Sequence, residues 1–512
     1  MSARRKFLFN GALLTIVGLS VKTASLLFGA FISRAVGAEG TGLFTLVMTV
    51  YSFALTFATS GISLTVTRLV ASAIGEGDSR GVSCVMRAAV AYALIFSSLA
   101  TVALLFGADF LGTRVLLDER AILSIRILSF SLIPTSLSAV IAGYFVGIRR
   151  VVANAAVQVA TQLFKITITV ILVIKMAENG TRAAVGALCL GLTVSEAVAF
   201  LILFVEYLIE RRKYIKLLKS SRGADLKGVL SMALPLAFSA YIRSGLLTLE
   251  HILIPKQLAK GQGSLNDALA EYGTLHGMAL PLVLYPMSPL SSFAGLLVPE
   301  FAESLAMGDR GRMKRITEES LHTTLAYATV AAVMLYIFSE ELGYVIYNSY
   351  GASRFIAMIA PIIPIMYLDH VTDAILKGIG EQVYSMWVNI SDSVLSIILV
   401  LILIPKLGAS GYAIVIIVME AYNFILSLVR LKSKVEFTFK PIKAVLLPLM
   451  ASLGASAFTR EIFRISGRSV GALGLFILLA FSLCLTLAAL IALSSLLGRQ
   501  RRNREGRSLL KG

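Results

Sequence analysis

Several charged residues lie inside long apolar stretches of the sequence, where water is scarce. The stretch SAYIRSGLLTLEHILIPK, residues 239–256, has the composition of a membrane-spanning helix but contains Arg243, Glu250 and His251. Lys22 lies deep in the first apolar stretch and has no acidic residue three or four positions away. A charge near the centre of a bilayer costs a few kcal/mol or more, so we expect these groups to face a ligand or a water-filled cavity.

Arg243 and Glu250 are seven residues apart, which places them on one helix face but separates them by roughly 10 Å along the axis. We therefore predict that both face the same hydrated space. The alternative is that Glu250 and His251 lie at the outer mouth of the helix and are simply solvated. Arg68 lies within a turn of a predicted membrane interface, where a snorkelling side chain is the favoured interpretation. The predicted substrate-binding residues are Lys22, Arg68, Arg243 and Glu250.

A second polar stripe occurs in MYLDHVTDAILKG, where Asp369, Asp373 and Lys377 follow i, i+4, i+8 spacing. Asp373 four residues before Lys377 is a favourable local ion pair. Asp369 has no local partner and is a candidate for coupling to a proton or cation. Together with Asp373 and Glu250 it forms the predicted ion-coupling set.

Three prolines, Pro281, Pro286 and Pro289, fall within GMALPLVLYPMSPLSS, the eighth predicted span. Each proline removes a backbone hydrogen bond and bends its helix. This span is therefore the best candidate for a hinge. Static kinks without any gating motion are an equally good explanation of the pattern.

The sequence contains none of the usual motifs of soluble enzymes. There is no GxxxxGK[ST] phosphate loop, HExxH or GxSxG motif, and the chain has only four histidines and three scattered cysteines. We expect no cofactor, no metal site and no enzymatic activity. A membrane transferase acting through scattered carboxylates remains as an alternative.

The elements that position these residues are long apolar helices. Of 512 residues, 57% are hydrophobic and only 15% charged, which predicts an all-α polytopic membrane protein. We place about fourteen spans, of roughly 18 to 29 residues each. They cover roughly 8–33, 42–70, 85–107, 120–146, 152–174, 184–208, 229–253, 275–300, 319–338, 353–376, 383–404, 410–429, 443–460 and 470–496.

Lysine and arginine set the orientation because cytoplasmic loops retain them. With a cytoplasmic N-terminus, the inner segments hold roughly 29 basic residues, the outer segments about 12 and the spans about 6. Both termini are then cytoplasmic. Arg460, Arg464 and Arg468 oppose this assignment, since they would lie outside. The net charge of +18 is spread over short loops, which indicates anionic inner-leaflet lipid rather than nucleic acid as the partner.

A weak internal repeat suggests two lobes. ALLTIVGLSVK (12–22) aligns without a gap with ALPLAFSAYIR (233–243), so that Lys22 coincides with Arg243. Six spans before each recurrence would give a parallel repeat with a substrate site between the lobes. Chance similarity between apolar helices is the alternative. The predicted division is an N-terminal lobe at 1–210, a basic linker at 211–228, a C-terminal lobe at 229–432, two further helices at 433–496 and a basic tail at 497–512.

Three stretches carry a family resemblance: residues 33–71, 233–258 and 272–304, the last containing YGTLHGMALPL. They resemble the stage V sporulation protein B group of polysaccharide biosynthesis proteins, within the multidrug/oligosaccharidyl-lipid/polysaccharide exporter superfamily. The resemblance implies fourteen helices in two lobes and a flippase of lipid-linked cell-wall precursors in the bacterial plasma membrane. The group often has Asp where this chain has Glu250. Lys22 and Arg243 match by position the cationic residues in the first and seventh helices of related lipid II flippases.

The predicted substrate is thus an anionic lipid-linked sugar, whose pyrophosphate Lys22 and Arg243 would neutralise during alternating access. An ion-coupled multidrug exporter shares the architecture, but its site would favour carboxylates and aromatic residues. A third possibility is a membrane scaffold that recruits cell-wall synthesis enzymes through its basic loops. The partners expected from these readings are the lipid-linked sugar, membrane lipids and those enzymes.

Overall fold

The computed structural model describes residues 3–76, 79–148, 151–215, 226–439, 441–465, 471 and 474–490. These residues are almost entirely helical and include no strand, which confirms the predicted all-α class. The helices are α1 (Ala3–Thr59), α2 (Ile62–Gly75), α3 (Ser79–Phe110), α4 (Ala121–Ser129), α5 (Leu132–Gly147), α6 (Val151–Met176), α7 (Thr181–Ile215), α8 (Leu226–Gln262), α9 (Leu265–Tyr272), α10 (Leu280–Leu284), α11 (Ser288–Ala306), α12 (Arg310–Ile337), α13 (Ser339–Tyr347), α14 (Tyr350–Ile359), α15 (Ile363–Gly378), α16 (Gln382–Lys434), α17 (Pro441–Ile465) and α18 (Gly474–Leu490).

Most of these helices are membrane-spanning by length and composition. Within the described ranges ten helical segments are long and apolar enough to cross a bilayer, or eleven if the bent pair α4 and α5 is one span. α1 and α16 are each interrupted by one glycine with positive φ, Gly37 (φ 73°) and Gly408 (φ 60°). Fourteen crossings would require each of these helices to cross twice and the shorter α18 to cross once. The number fourteen therefore stays a prediction.

The spans predicted at 42–70 and 120–146 are each broken into separate helices. The span predicted at 42–70 is interrupted between α1 and α2 at Gly61, whose φ is 77°. A Cβ at Gly61 would lie 2.4 Å from the carbonyl oxygen of Ala233, so the break also lets α8 approach closely. The span predicted at 120–146 consists of α4 and α5, bent by 42°. Hydropathy missed both breaks because the residues on either side are equally apolar.

The chain forms two compact units. Unit 1 comprises Met1–Gly273 and Ser393–Gly408, and unit 2 comprises Thr274–Asp392 and Ala409–Gly512. α8 packs within unit 1, and the part of α16 from Ser393 to Gly408 also belongs there. The two repeat-related lobes predicted from the sequence are a different division of the chain and remain a prediction.

Close helix packing holds unit 1 together. Buried side chains from α2, α3, α5, α7 and α8, among them Ile62, Tyr92 and Phe145, form one apolar cluster there. Lipid is as apolar as these residues, so tight packing rather than exclusion from water supplies much of the stabilisation. Gly42 and Gly273 show how tight this packing is. A Cβ on Gly42 would lie 1.9 Å from the carbonyl oxygen of Leu269. Only glycine permits α1 and α9 to approach so closely.

Unit 2 has its own apolar core. Residues from α11, α12, α15, the end of α16 and the segment that follows it pack around Phe301, Leu321 and Ile375. Large apolar side chains also cover the outside of both units, such as Phe106, which is 78% exposed. An apolar exterior of this kind suits contact with lipid rather than water.

Ion pairs join the helix ends within each unit. In unit 1, Arg120 contacts Glu39 at 2.6 Å and Asp118 at 2.7 Å, so the segments after the first and third predicted spans meet. In unit 2, Arg460 contacts Glu340 and Glu341, each at 2.9 Å. The distribution of lysine and arginine assigns each of these pairs of segments to one side of the membrane. Arg460, which opposed the predicted orientation, is therefore neutralised by acids in a segment assigned to its own side.

Candidate functional site

The three predicted cationic residues are all exposed side chains of unit 1. Lys22 lies on α1, Arg68 on α2 and Arg243 on α8. Throughout the ranges that the structure describes, none of the three forms an ion pair. A buried structural ion pair, which is the usual reason for charge inside an apolar helix, does not account for them.

The face of α1 that carries Lys22 is open. Gly18 and Gly29 lie four residues before and seven residues after Lys22, on the same side of the helix. A Cβ added at either glycine would have no described atom within 4 Å. Ser25 lies beside this face and accepts a hydrogen bond of 3.1 Å from the side-chain amide of Gln162 on α6. The ammonium group therefore has free space around it on a helix that is itself held in place.

Two hydrogen bonds fix the orientation of α8 near Arg243. The Tyr241 hydroxyl donates to the Phe57 carbonyl oxygen at 3.1 Å, and the Ser244 hydroxyl donates to Thr56 Oγ1 at 3.2 Å. Both bonds attach α8 to the end of α1. Successive residues of a helix are rotated by about 100°, so Arg243 projects from a different face than its neighbours. Its guanidinium group is left exposed.

Glu250 lies in different surroundings from Arg243, although the two share a helix face. It is only 7% exposed and accepts a hydrogen bond of 2.6 Å from the Ser396 hydroxyl of α16. The carboxylate is thus buried within unit 1 rather than solvated. The prediction that Arg243 and Glu250 face one hydrated space is not met at Glu250, because the segment Ser393–Gly408 covers that part of α8.

His251 belongs to a separate buried network. Its Nδ1 lies 3.0 Å from the hydroxyl of Tyr272, a fully buried residue at the end of α9 that also hydrogen bonds to Thr49. This network connects α8, α9 and the second half of α1. His251 is consequently a packing residue in this conformation.

The predicted ion-coupling residues of unit 2 lie on α15. Lys377 Nζ contacts Asp373 Oδ2 at 2.5 Å, so these two residues form the local pair expected from their spacing. Asp369 hydrogen bonds to Ser427, while its Oδ1 is buried without a partner among the described residues. Asp369 is the acid of the stripe that forms no ion pair among the described residues.

Two further acids accompany Asp369, and the sequence alone did not place them there. Asp392 and Glu420 lie on α16, before and after its glycine break, and both interact electrostatically with Asp369. Like charges held together away from water are stabilised by a proton or a bound cation. Each is a single acid in an apolar helix. That pattern predicts a side chain that faces away from lipid, but it does not predict which residue the side chain meets. The three carboxylates form a candidate coupling site, called here the acid cluster.

The predicted hinge is the most irregular helix of the fold. A wide helical turn at Gly273–Ala279 leads into the five residues of α10, and a tight turn at Tyr285–Met287 precedes α11. Pro281, Pro286 and Pro289 each stand at the start of one of the last three segments.

Two tyrosines of unit 2 donate hydrogen bonds to carbonyl groups of this irregular backbone. The hydroxyls of Tyr327 and Tyr367 donate to the carbonyl oxygens of Pro286 and Val283, at 2.7 and 2.9 Å. The hinge motion of this segment and its alternative, a static kink, both stay predictions.

A family comparison agrees with this architecture. The family model described as polysaccharide biosynthesis protein matches residues 7–305, more than half of the chain. The chain belongs to this family. A second model, MatE, matches residues 276–402. The predicted resemblance is thereby confirmed.

Among curated relatives, the chain is 24% identical to stage V sporulation protein B of Bacillus subtilis (strain 168) over 422 residues, covering 81% of each chain. It is 21% identical to the lipid II flippase MurJ of the same organism over 449 residues, covering 82% of this chain and 81% of that protein. Both matches extend over about four fifths of each protein.

The fold is similar to that of solved transporters. The structure titled as an inward-facing conformation of a multidrug resistance MATE family transporter of the MOP superfamily has a TM-score of 0.64 and 18% identity. The match covers 82% of this chain and 98% of that one. At this identity the likeness establishes the fold, a multi-pass transporter fold, and leaves the transported molecule open.

Proposed function

We propose that the chain is a flippase that carries a lipid-linked oligosaccharide or peptidoglycan precursor from the inner to the outer leaflet by alternating access. The observation that carries this proposal is the set of exposed cations on unit 1 that form no ion pair within the described residues. Lys22 and Arg243 lie in apolar helices where an unpaired charge is costly, and a pyrophosphate headgroup would neutralise both. The relationship to a protein named lipid II flippase supports the same substrate class.

The open face around Lys22 suits a bulky ligand. Glycine at positions 18 and 29 leaves room beside the ammonium group for a sugar phosphate, while the polyprenyl tail stays in lipid. Arg68 would contribute a third positive charge near the predicted inner interface. The expected setting is the bacterial plasma membrane, with both termini cytoplasmic and the anionic precursor taken up from the inner side.

The acid cluster of unit 2 is the proposed coupling site. Asp369, Asp392 and Glu420 would take up a proton or a monovalent cation, and Asp373 would remain paired with Lys377. Glu250, the third predicted coupling residue, would take part only if its bond to Ser396 opened during transport.

A second candidate is an ion-coupled exporter of cationic drugs. The fold likeness to a multidrug resistance transporter and the acid cluster favour it. The unpaired cations disfavour it, because they would repel a cationic substrate. A scaffold for cell-wall synthesis enzymes would need neither set of residues.

Proteoliposomes distinguish these functions. The wild-type chain is reconstituted into vesicles that contain lipid II, another polyprenyl-linked sugar or a fluorescent organic cation. The appearance of each compound at the outer surface is followed with and without a proton or sodium gradient. The proposal predicts movement of the lipid-linked sugar and its loss in Lys22→Ala and Arg243→Ala. Export of the organic cation alone would favour the drug exporter. Movement of neither, by folded protein, would contradict both and leave the scaffold.

A further inference from the structure

A groove on unit 1 lies apart from the residues discussed above. It encloses about 330 Å³ between α3, α5 and α7. Its apolar lining comes from these helices and includes Val90, Leu94, Leu137, Phe200 and Phe204. Neither the predicted substrate-binding residues nor the acid cluster contributes to it.

Two arginines lie at one end of this groove. Arg87 is near the start of α3 and Arg211 is near the end of α7, so the antiparallel helices bring both to the same end. Both side chains are exposed, and over the described part of the chain neither forms an ion pair. Arg87 Nε donates a long hydrogen bond of 3.4 Å to the Ser83 carbonyl oxygen. Two guanidinium groups are therefore available for an anion.

No acidic residue is among the described residues that line this groove. Glu206 and Glu210 lie on the same helix as Arg211, but neither lines the groove, and Glu210 is buried on another face. Tyr207 does line it, close to Arg211, and its ring packs edge-on against Tyr144 at 5.0 Å. A tyrosine beside arginines at the end of an apolar segment is typical of a membrane interface.

The length of the groove matches one leaflet. Arg87 to Leu94 spans about 10 Å along α3, and Phe200 to Arg211 spans about 16 Å along α7, against about 15 Å for half of the hydrocarbon thickness. Arg211 ends the apolar part of α7, and the basic segment predicted to be cytoplasmic begins there. The charged end therefore faces the predicted inner surface, and the apolar end extends toward the bilayer centre.

We infer that this groove is a binding site for an anionic phospholipid of the inner leaflet, such as phosphatidylglycerol. Its phosphate would lie between Arg87 and Arg211, and one acyl chain would fill the space lined by Leu94, Phe200 and Phe204. Basic pockets between helices on the cytoplasmic side are suited to acidic lipid headgroups. The site is independent of the proposed substrate and of the direction of transport.

The test is lipid binding to the purified, delipidated full-length protein, measured by native mass spectrometry. Phosphatidylglycerol and phosphatidylcholine with identical acyl chains are titrated separately. Wild type should bind phosphatidylglycerol more tightly, and Arg87→Ala combined with Arg211→Ala should weaken this binding about 30-fold. Replacing both arginines by lysine should retain most of the affinity.

Two further variants separate this site from general attraction to acidic lipid. Arg114→Ala removes an exposed arginine just beyond the other end of α3 and should leave binding unchanged. Leu94→Trp should fill the apolar part, since Leu94 is 41% exposed, and should weaken phosphatidylglycerol binding with both arginines intact. If the double alanine variant fails to fold, the inference is tested by the Leu94→Trp variant and by competition for the lipid site of the wild-type protein.

Four results would overturn the inference. Equal binding of the two phospholipids would indicate an apolar groove alone. Unchanged phosphatidylglycerol binding in the folded double alanine variant or in Leu94→Trp would place the lipid elsewhere. Displacement of the lipid by an equal concentration of inorganic phosphate would indicate a free-anion site. Tighter binding of a polyprenyl phosphate at the same residues would assign the groove to the transported lipid instead.

Discussion

Replacing Arg243 by alanine should stop or strongly slow transport while leaving the folded protein almost as stable as wild type. Arg243 is exposed on α8 and has no acidic partner among the described residues, so its loss leaves no buried carboxylate unpaired. Exposed substitutions of this kind usually change the free energy of unfolding by no more than about 0.5 kcal/mol. An effect on transport would therefore not be a consequence of unfolding.

The expected magnitude follows from the bond that Arg243 would make. A hydrogen bond to a charged group contributes about 1.5–3 kcal/mol. Losing it should weaken interaction with the pyrophosphate about 10-fold to 150-fold. Arg243→Lys should show an intermediate loss, because lysine keeps the charge but not the planar, two-pronged donor geometry.

The assay measures lipid II transport in proteoliposomes over a range of lipid II densities, alongside thermal unfolding in detergent. Wild type, Arg243→Ala, Arg243→Lys and the control Arg114→Ala are compared at equal amounts of reconstituted protein. Wild-type transport by Arg243→Ala would refute the reasoning. So would a loss of transport that only parallels a loss of folded protein.

Three further predictions concern other parts of the two units. Asp369→Asn should make transport independent of the proton or sodium gradient; an unchanged gradient dependence would exclude Asp369 from coupling. Ser396→Ala removes the donor to buried Glu250 and should lower stability by about 1–3 kcal/mol, seen as a lower melting temperature. Ser97 is a buried serine without a partner in the described ranges, so Ser97→Ala should not lower the melting temperature in this way. Equal melting temperatures of the two variants would contradict this prediction. Lys434 and Arg430 lower the pKa of Glu381, so these pairs stabilise the fold above about pH 4.3 and lose that effect as the pH falls through the lowered value. The melting-temperature difference between wild type and Glu381→Gln should therefore shrink in acid, and a difference that stays constant as the pH falls would contradict it.

The helices were predictable from the sequence, but their interruptions were not. Apolar length alone places α3, α6, α7 and α12, since nothing except a helix satisfies the backbone in lipid. The break at Gly61 depends on the approach of the Ala233 carbonyl, a contact that hydropathy does not encode. The prolines at 281, 286 and 289 did mark an irregular helix, because a missing backbone donor acts locally whatever the surroundings.

The candidate site was predictable in its residue types and only partly in its geometry. The i, i+4 spacing correctly predicted the ion pair between Asp373 and Lys377. Lys22 forms no ion pair within the described residues, and its role in substrate binding stays a prediction. The gathering of Asp392 and Glu420 around Asp369 depends on how the helices rotate against one another, which periodicity does not fix. The burial of Glu250 had no sequence signal, since Ser396 lies 146 residues away.

The central claim is that Lys22 and Arg243 face a hydrated space that receives an anionic headgroup. Cysteine accessibility tests it most directly. Cys84, Cys189 and Cys484 are free thiols and are first replaced, after which single cysteines are introduced at positions 22, 243 and 106. A charged, membrane-impermeant thiol reagent should label positions 22 and 243, and lipid II should protect both, while position 106 on the apolar exterior should stay unlabelled. Labelling of 22 and 243 only by lipophilic reagents, as at position 106, would contradict the account.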